Sequence, residues 1–135
     1  MSASRRVVVD ASALLAWVMR ERGSDTVDAV LPYAVAPVSA LVETLYRAPE
    51  LGHGLTAAHL HRDLVSMGLQ IEPVTEADAV RAADLIAQSR RSHGGSLSLG
   101  DGLCLAVAER LQLTVTGNDQ FWETLDLSVD YRPFR

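Results

Sequence analysis

Three consecutive β-branched residues, Val7, Val8 and Val9, run straight into an aspartate, Asp10. A run that is apolar on both faces of the pleat reads as a strand covered on both sides, the pattern of a parallel sheet with helices above and below it. Asp10 then falls at the carboxyl end of a central strand, the edge of an open α/β sheet where ligands and catalytic groups collect. Ser12 follows two residues on, just ahead of an apolar run with helical spacing, Ala13 to Met19. Aspartate and serine are also favoured helix N-caps, so within this stretch capping accounts for the pair as well as chemistry does. The remaining acids have to decide between the two.

A chain of 135 residues, 48% apolar, suits one compact domain spanning 1–135 with a single core. Its apolar runs are a few residues long, against the roughly 20 that a membrane span needs, and no signal-type leader precedes the first strand. A soluble, cytoplasmic protein is therefore expected. Net charge is −5, which argues against a protein that coats nucleic acid by general attraction. All 12 basic residues are arginine. Without lysine the chain cannot run a Walker P-loop, a Schiff base or a lysine-dependent phosphoaspartate reaction. The lone cysteine, Cys104, has no partner for an internal disulfide and lies among Leu103, Leu105 and Val107, a core position.

The rest of the chain alternates helical and extended signals. Asp25 to Leu31 reads as a helix capped by Ser24 and ended by Pro32, and Val35 to Val38 as a brief extended segment interrupted by Pro37. Ser39 can cap a helix through Leu41, Val42, Leu45 and Tyr46 that carries Glu43 and stops at Pro49. Thr56 opens a helix with Leu60, Leu64 and Met67, and Leu69 to Val74 alternates like a strand. A helix starts at Thr75 to Asp78 and reaches Arg90 and Arg91, followed by a flexible stretch from Ser92 to Ser96. Ser98 begins the most regular helix, with Leu103, Ala106, Val107 and Leu111 at helical period. Leu113 to Thr116 is a strand, Gly117 to Asp119 a turn, Phe121 to Leu125 a short helix and Leu127 to Tyr131 an edge strand. Short strands alternating with helices predict a parallel α/β sandwich.

Four carboxylates stand at element ends or in apolar surroundings: Asp10, Glu43, Asp101 and Asp119. Each has a purely structural explanation. Asp101, three residues after Ser98, suits a capping box; Glu43 can pair with Arg47 four residues on; Asp119, like Asn118, suits a turn. As a set they are harder to explain that way. Residues that follow parallel strands and those that open the next helices share one sheet edge, so Asp10, Asp101 and Asp119 can converge. Carboxylates held within a few ångströms repel and raise one another's pKa unless a hard divalent ion such as Mg²⁺ or Mn²⁺ offsets their charge. Setting the four aside moves the formal charge from −5 to −1, so much of the chain's acidity would belong to one metal site. Such an ion can activate a water for in-line attack on a phosphodiester, with no lysine or cysteine required.

Two motifs, Val7-Val8-Val9-Asp10-Ala11-Ser12-Ala13-Leu14 and Leu97-Ser98-Leu99-Gly100-Asp101-Gly102-Leu103-Cys104-Leu105-Ala106, occur in that order with Glu43 between them. The combination resembles the PIN-domain ribonucleases, most closely the VapC-like toxins of type II toxin–antitoxin modules, and the resemblance covers nearly the whole chain. It implies a PIN-like α/β/α sandwich with a central parallel sheet flanked by helices. Asp10, Glu43 and Asp101 match the acids that hold Mg²⁺ or Mn²⁺, and Ser12 the hydroxyl beside the first. Family members usually read Thr-x-Asp after the last strand, whereas this chain reads Thr116-Gly117-Asn118-Asp119. Counting from Leu111 or back from Trp122 selects Asp119 as the fourth acid, with Gly117 replacing the usual hydroxyl; anchoring on Thr116 selects Asn118. The resemblance further implies a metal-dependent endoribonuclease cutting structured RNA, transfer RNA or ribosomal RNA. It would be a homodimer, silenced by a cognate antitoxin protein in a hetero-oligomer.

In that frame RNA would be drawn in locally by arginines and metal, not by the whole surface. Arg90, Arg91 and His93 beside Gly94-Gly95 are candidates for an RNA-contacting loop, although arginines at a helix end also complement its dipole. His59 and His61 point about 200° apart on a helix and are expected at the surface, without a shared metal. Trp17, Phe121 and Trp122 are expected in the core or at a dimer contact. The rival from another class is a catalytically inert PIN-like module acting in a protein complex, which retention of all the acids opposes. A haloacid-dehalogenase-like phosphatase would need a second aspartate where Ser12 stands, and a lysine.

Overall fold

The chain is described here by a computed structural model covering residues 6–92 and 95–135. Its strands are β1 (Val7–Val9), β2 (Ala34–Pro37), β3 (Gln70–Glu72) and β4 (Thr114–Thr116); its helices are α1 (Ala11–Val18), α2 (Ser24–Val30), α3 (Val38–Glu50), α4 (Ala57–Ser66), α5 (Glu76–Ser92) and α6 (Leu99–Leu111). Short 3₁₀ turns cover Leu31–Tyr33 and Gln120–Thr124. The strands form one parallel sheet in the order β3-β2-β1-β4, with Val8 level with Val35 on one side and Val115 on the other.

Side chains of the sheet alternate between two cores. Val7, Val9, Ala34 and Ala36 face Leu14, Val27, Leu41, Leu60 and Leu64 from α1 to α4. Val8, Val35 and Val115 face Leu85, Cys104, Leu105 and Trp122, so α5 and α6 close the opposite side. This is the expected α/β/α sandwich, and it explains why β1 is apolar at every position. Trp122 is fully buried, and truncating it to alanine would cost about 3–5 kcal/mol. Among the described residues, no helix is long and apolar enough to cross a membrane.

Ion pairs brace α5 against its neighbours. Arg81 on α5 donates to Glu109 on α6 at 2.6 Å, and Arg110 on α6 donates to Asp78 on α5 at 2.9 Å and to Glu72 on β3 at 3.0 Å. Asp78 also reads as a cap, because it accepts from Thr75 N at 2.9 Å.

Several element ends differ from the sequence expectation. Ser24 is the first residue of α2 rather than its cap; Gly23 precedes it with φ +92°, where an added Cβ would lie 2.7 Å from the Phe134 ring. Ser39 lies inside α3, which starts directly after Pro37, and Pro49 sits in its last turn, so the helix runs on to Glu50 before ending. The expected edge strand from Leu127 to Tyr131 reduces to a single bridge, Val115 with Tyr131. Its backbone is drawn elsewhere: Ser128 N donates to the Glu109 carboxylate at 3.0 Å. Pairing with β4 continues further along, through Arg132 N to Val115 O and Phe134 N to Gly117 O.

Candidate active site

Sheet order places β1 between β2 and β4, so the carboxyl end of β1 is where the chain leaves in opposite directions, the usual position of a ligand crevice in an open α/β sheet. Asp10 occupies that end. It caps α1 by accepting from Ala13 N at 2.9 Å, and its two oxygens accept from Ser12 Oγ at 2.7 and 2.9 Å. Asp101 stands in the first turn of α6, in a capping box with Ser98: Asp101 N donates to Ser98 Oγ and Ser98 N to Asp101 Oδ2. Glu43, on α3, accepts from Arg47 at 3.5 Å. Asp119 caps the 3₁₀ turn after β4, accepting from Phe121 N at 2.9 Å.

Every one of the four acids therefore fills the local structural role open to its residue type, and the four also line two recesses that share Asp10 and Asp101. Asp10, Ser12, Glu43 and Asp101 line one cavity of about 380 Å³. Asp10, Ser12 and Asp101 also line a second of about 380 Å³, completed by Asn118 and Asp119. Asp10, Ser12 and Asp101 thus form the wall common to both recesses. Asn118 is tied elsewhere by its oxygen, which accepts from Arg135 Nε at 3.0 Å.

Two glycines make the convergence sterically possible. A Cβ on Gly117 would lie 2.9 Å from Asp10 Oδ2 and 2.9 Å from the Trp122 ring, and a Cβ on Gly100 would lie 2.9 Å from Glu43 Oε1. Gly117, read from sequence as a missing hydroxyl, is the position that admits the Asp10 carboxylate. Arg135 was not anticipated. It reaches the first cavity from the end of the chain and also donates to Arg22 O at 2.9 Å, 113 residues away. A contact over that separation leaves no local signal, whereas a glycine directly after β4 could have been read as a close approach.

Electrostatics separate Asp10 and Asp101 from ordinary surface carboxylates. Burial raises the Asp10 pKa to about 7, against the opposing hydrogen bonds of Ser12 and Ala13, and the charges of Asp101 and Glu43 add to the rise. Asp101 is raised as well, first by burial and then by Asp119 and Glu43, against its bonds with Ser98. The same acids push up the buried Cys104 thiol beneath them, after burial itself, so it stays protonated and inert.

Among the described residues, no three histidine, cysteine, aspartate or glutamate side chains stand close enough together to hold an ion as they are. Each carboxylate is turned to its own cap or pair, an arrangement that spaces like charges. The donor set itself is oxygen-only: carboxylates, a hydroxyl and an amide oxygen, which suits a hard divalent cation and not a thiolate- or imidazole-bound metal.

The remaining sequence candidates are distributed as follows. Arg90 and Arg91 are exposed at the end of α5, and Arg90 donates to Ser96 at 3.4 Å. An added Cβ on Gly95 would meet the Phe121 ring at 2.7 Å, so the segment after α5 passes beside the turn carrying Asp119. His93 lies outside the described residues. His59 and His61 are exposed on α4, and Trp17 Nε1 donates to Asp28 at 2.9 Å.

Comparison with known proteins gives the geometry a context. The PIN domain family model matches residues 7–124. Among solved structures, the chain is similar to VapC20 of Mycobacterium tuberculosis, a sarcin-ricin loop cleaving toxin, with 16% identity, 92% of this chain and 98% of that one covered, and a TM-score of 0.69. VapBC2 of Rickettsia felis, bound to a promoter DNA fragment, aligns with 11% identity, 94% and 97% coverage and a TM-score of 0.73. A toxin-antitoxin complex from Klebsiella pneumoniae aligns with 16% identity, 88% and 92% coverage and a TM-score of 0.67. At these identities the likeness is one of fold. No curated protein sequence matches the chain.

Proposed function

This chain belongs to the PIN-domain family, and on that premise we propose that it is the toxin of a toxin–antitoxin module, a metal-dependent endoribonuclease that hydrolyses phosphodiester bonds in structured RNA. The observation that carries the reading is the set of acids gathered at the end of β1, where Asp10 and Asp101 line both recesses, Glu43 the first and Asp119 the second, with Asp10 and Asp101 raised by burial and by neighbouring acids. Asp10, Glu43 and Asp101 are the residues that would hold Mg²⁺ or Mn²⁺, with Asp119 as the fourth acid. Asp119 is preferred over Asn118 because its charge already acts on Asp101, while the Asn118 oxygen is committed to Arg135. When bound, the ion supplies Lewis acidity: it lowers the pKa of a water and offsets charge on the phosphodiester.

The chain's own residues set the geometry. Ser12 fixes the Asp10 carboxylate through both oxygens, and the Ser98 box fixes Asp101 on a rigid helix start. Gly117 packs against both Asp10 Oδ2 and the Trp122 ring, which leaves the Asp10 carboxylate its place beside β4. The solved relatives that are toxin–antitoxin complexes support a cognate antitoxin protein as partner in a hetero-oligomer, and the toxin in that assembly would be a homodimer. The reading places one domain over residues 1–135 in the cytoplasm, where RNA is available, and Arg90, Arg91 and His93 remain candidate RNA contacts beside the Asp119 turn.

Incubating the purified protein with total bacterial RNA tests this directly, in Mg²⁺ or Mn²⁺, in EDTA, and as the Asp101→Asn variant. Discrete cuts seen only with wild type and metal are the expected result. Equal inertness of wild type and variant in metal, with neither binding it, would overturn the catalytic reading in favour of an inert binding module.

A further inference from the structure

Resting on the ribonuclease reading, we infer that Arg47 and Arg135 form the phosphate-binding subsite of the acid cavity, one on each side of the bond to be cut. An RNA backbone entering this cavity meets Asp10, Glu43 and Asp101 together, a like-charge approach that is unfavourable. The chain as a whole is negative, so it offers no general attraction to compensate. Positive donors have to stand at the cavity itself. Of the described arginines, Arg47 and Arg135 are the two that line it.

Their placement brackets the acids. Arg47 lies on α3, the helix that follows β2, and Arg135 lies against the turn that follows β4; β2 and β4 flank β1, whose end carries Asp10. The two guanidinium groups are prepared in different ways. Arg135 is held: Nε donates to Asn118, Nη1 to Arg22 O, Glu21 lies 3.6 Å away, and its group sits 5.1 Å from the Phe134 ring centre. Its side chain is only 20% exposed, yet Nη2 has no hydrogen bond among the described residues. A guanidinium already fixed in orientation with donors unspent loses little freedom on meeting a phosphate. Arg47 is loose: its side chain is 44% exposed and its polar contact among the described residues, to Glu43, is at 3.5 Å. A surface pair of that length is readily exchanged for a phosphate.

The test measures RNA binding rather than cleavage. In an Asp101→Asn chain, the anisotropy of a short labelled single-stranded RNA is followed over a range of salt concentrations, with Arg47→Gln, Arg135→Gln and the double Arg90→Gln/Arg91→Gln changes added in turn. The expected result is a several-fold loss of affinity for Arg47→Gln and for Arg135→Gln. Each should also lower the slope of log K against log salt by about 0.7, one phosphate contact apiece. Arg135→Lys, which keeps the charge but loses the fork, should recover the salt slope and only part of the affinity. Unchanged affinity and slope in Arg47→Gln overturn the inference, as does a loss confined to Arg90→Gln/Arg91→Gln, or a parent chain that does not bind RNA. The underlying reading is scored separately, by metal-dependent cleavage in the wild type. Cutting that persists while Arg47→Gln binds like its parent removes the subsite and leaves the nuclease standing.

Discussion

Asp10 and Asp78 are the same residue in nearly the same local setting, with opposite electrostatic outcomes. Both are buried, at 7% and 2% exposure, and both accept a backbone N–H at a helix start. Burial is the largest influence on each and pushes both upward. At Asp78 it is overcome by hydrogen bonds from Arg110 and Thr75 and by the Arg110 charge, so its pKa falls below the ordinary value. At Asp10 no cation among the described residues answers it, Asp101 and Glu43 add to it, and the value climbs to about 7. Two things differ: Asp10 lies far deeper among protein atoms than Asp78, and only Asp78 is bonded to an arginine. The α5–α6 acids have bonded arginines within the chain, while Asp10 and Asp101 at the end of β1 have none among the described residues, a perturbation that marks candidate functional sites.

The largest effects should fall on opposite properties in the two regions. Asp10→Asn is expected to lower RNA cleavage about 10²–10³-fold, the scale of removing one preorganised group from an active site, with the fold retained because asparagine still caps α1. Arg110→Ala should leave cleavage near wild type and cost roughly 3 kcal/mol by thermal or denaturant unfolding, since it strands Asp78 as a buried, uncompensated charge. An inactive but fully stable Arg110→Ala chain would break the comparison.

pH should act with opposite sign on the two aspartates. The folded-state pKa of Asp10 lies above its unfolded value, so the folded chain binds the extra proton and this group's contribution to stability falls as pH rises from about 4 to about 7. Asp78 is lowered, so its contribution is present above the unfolded value and is lost as pH falls through the folded one. Melting temperatures of wild type and Asp10→Asn should therefore diverge in favour of the variant between about pH 5 and about pH 8. Parallel curves would show that Asp10 is compensated after all.

A smaller effect sharpens the steric side of the contrast. Gly117→Ala places a methyl group 2.9 Å from both Asp10 Oδ2 and the Trp122 ring, so a loss of roughly 1–3 kcal/mol is expected. Cleavage should fall further than stability, because the carboxylate must shift.

What could be read in advance follows from how local each signal is. The all-valine β1, the Ser98–Asp101 box and the helical period of α6 are short-range patterns, and the structure keeps them. Edge pairing near Tyr131 was overstated because alternation in Leu127, Val129 and Tyr131 reports burial, while the backbone donor at Ser128 goes to Glu109, 19 residues back. Gly23 took the position assigned to Ser24 because the Phe134 ring, far along the chain, occupies the space beside it. For the site, residue types and spacing pointed to the four acids, but the pressure on them came from contacts between separate elements. Gly100 against Glu43, Gly117 against Asp10 and Arg135 against Asn118 have no counterpart in periodicity or local motif.

Calorimetric titration of the wild-type chain with Mn²⁺ near pH 7, in two buffers of different ionisation enthalpy, tests the central claim that the acids ending β1 await an external cation. One saturable site whose binding releases a fraction of a proton is the predicted result, because an Asp10 with pKa about 7 is partly protonated there and must ionise to bind. The released fraction should vanish in Asp10→Asn. An absence of binding, or binding with the same proton count in wild type and Asp10→Asn, would contradict the account.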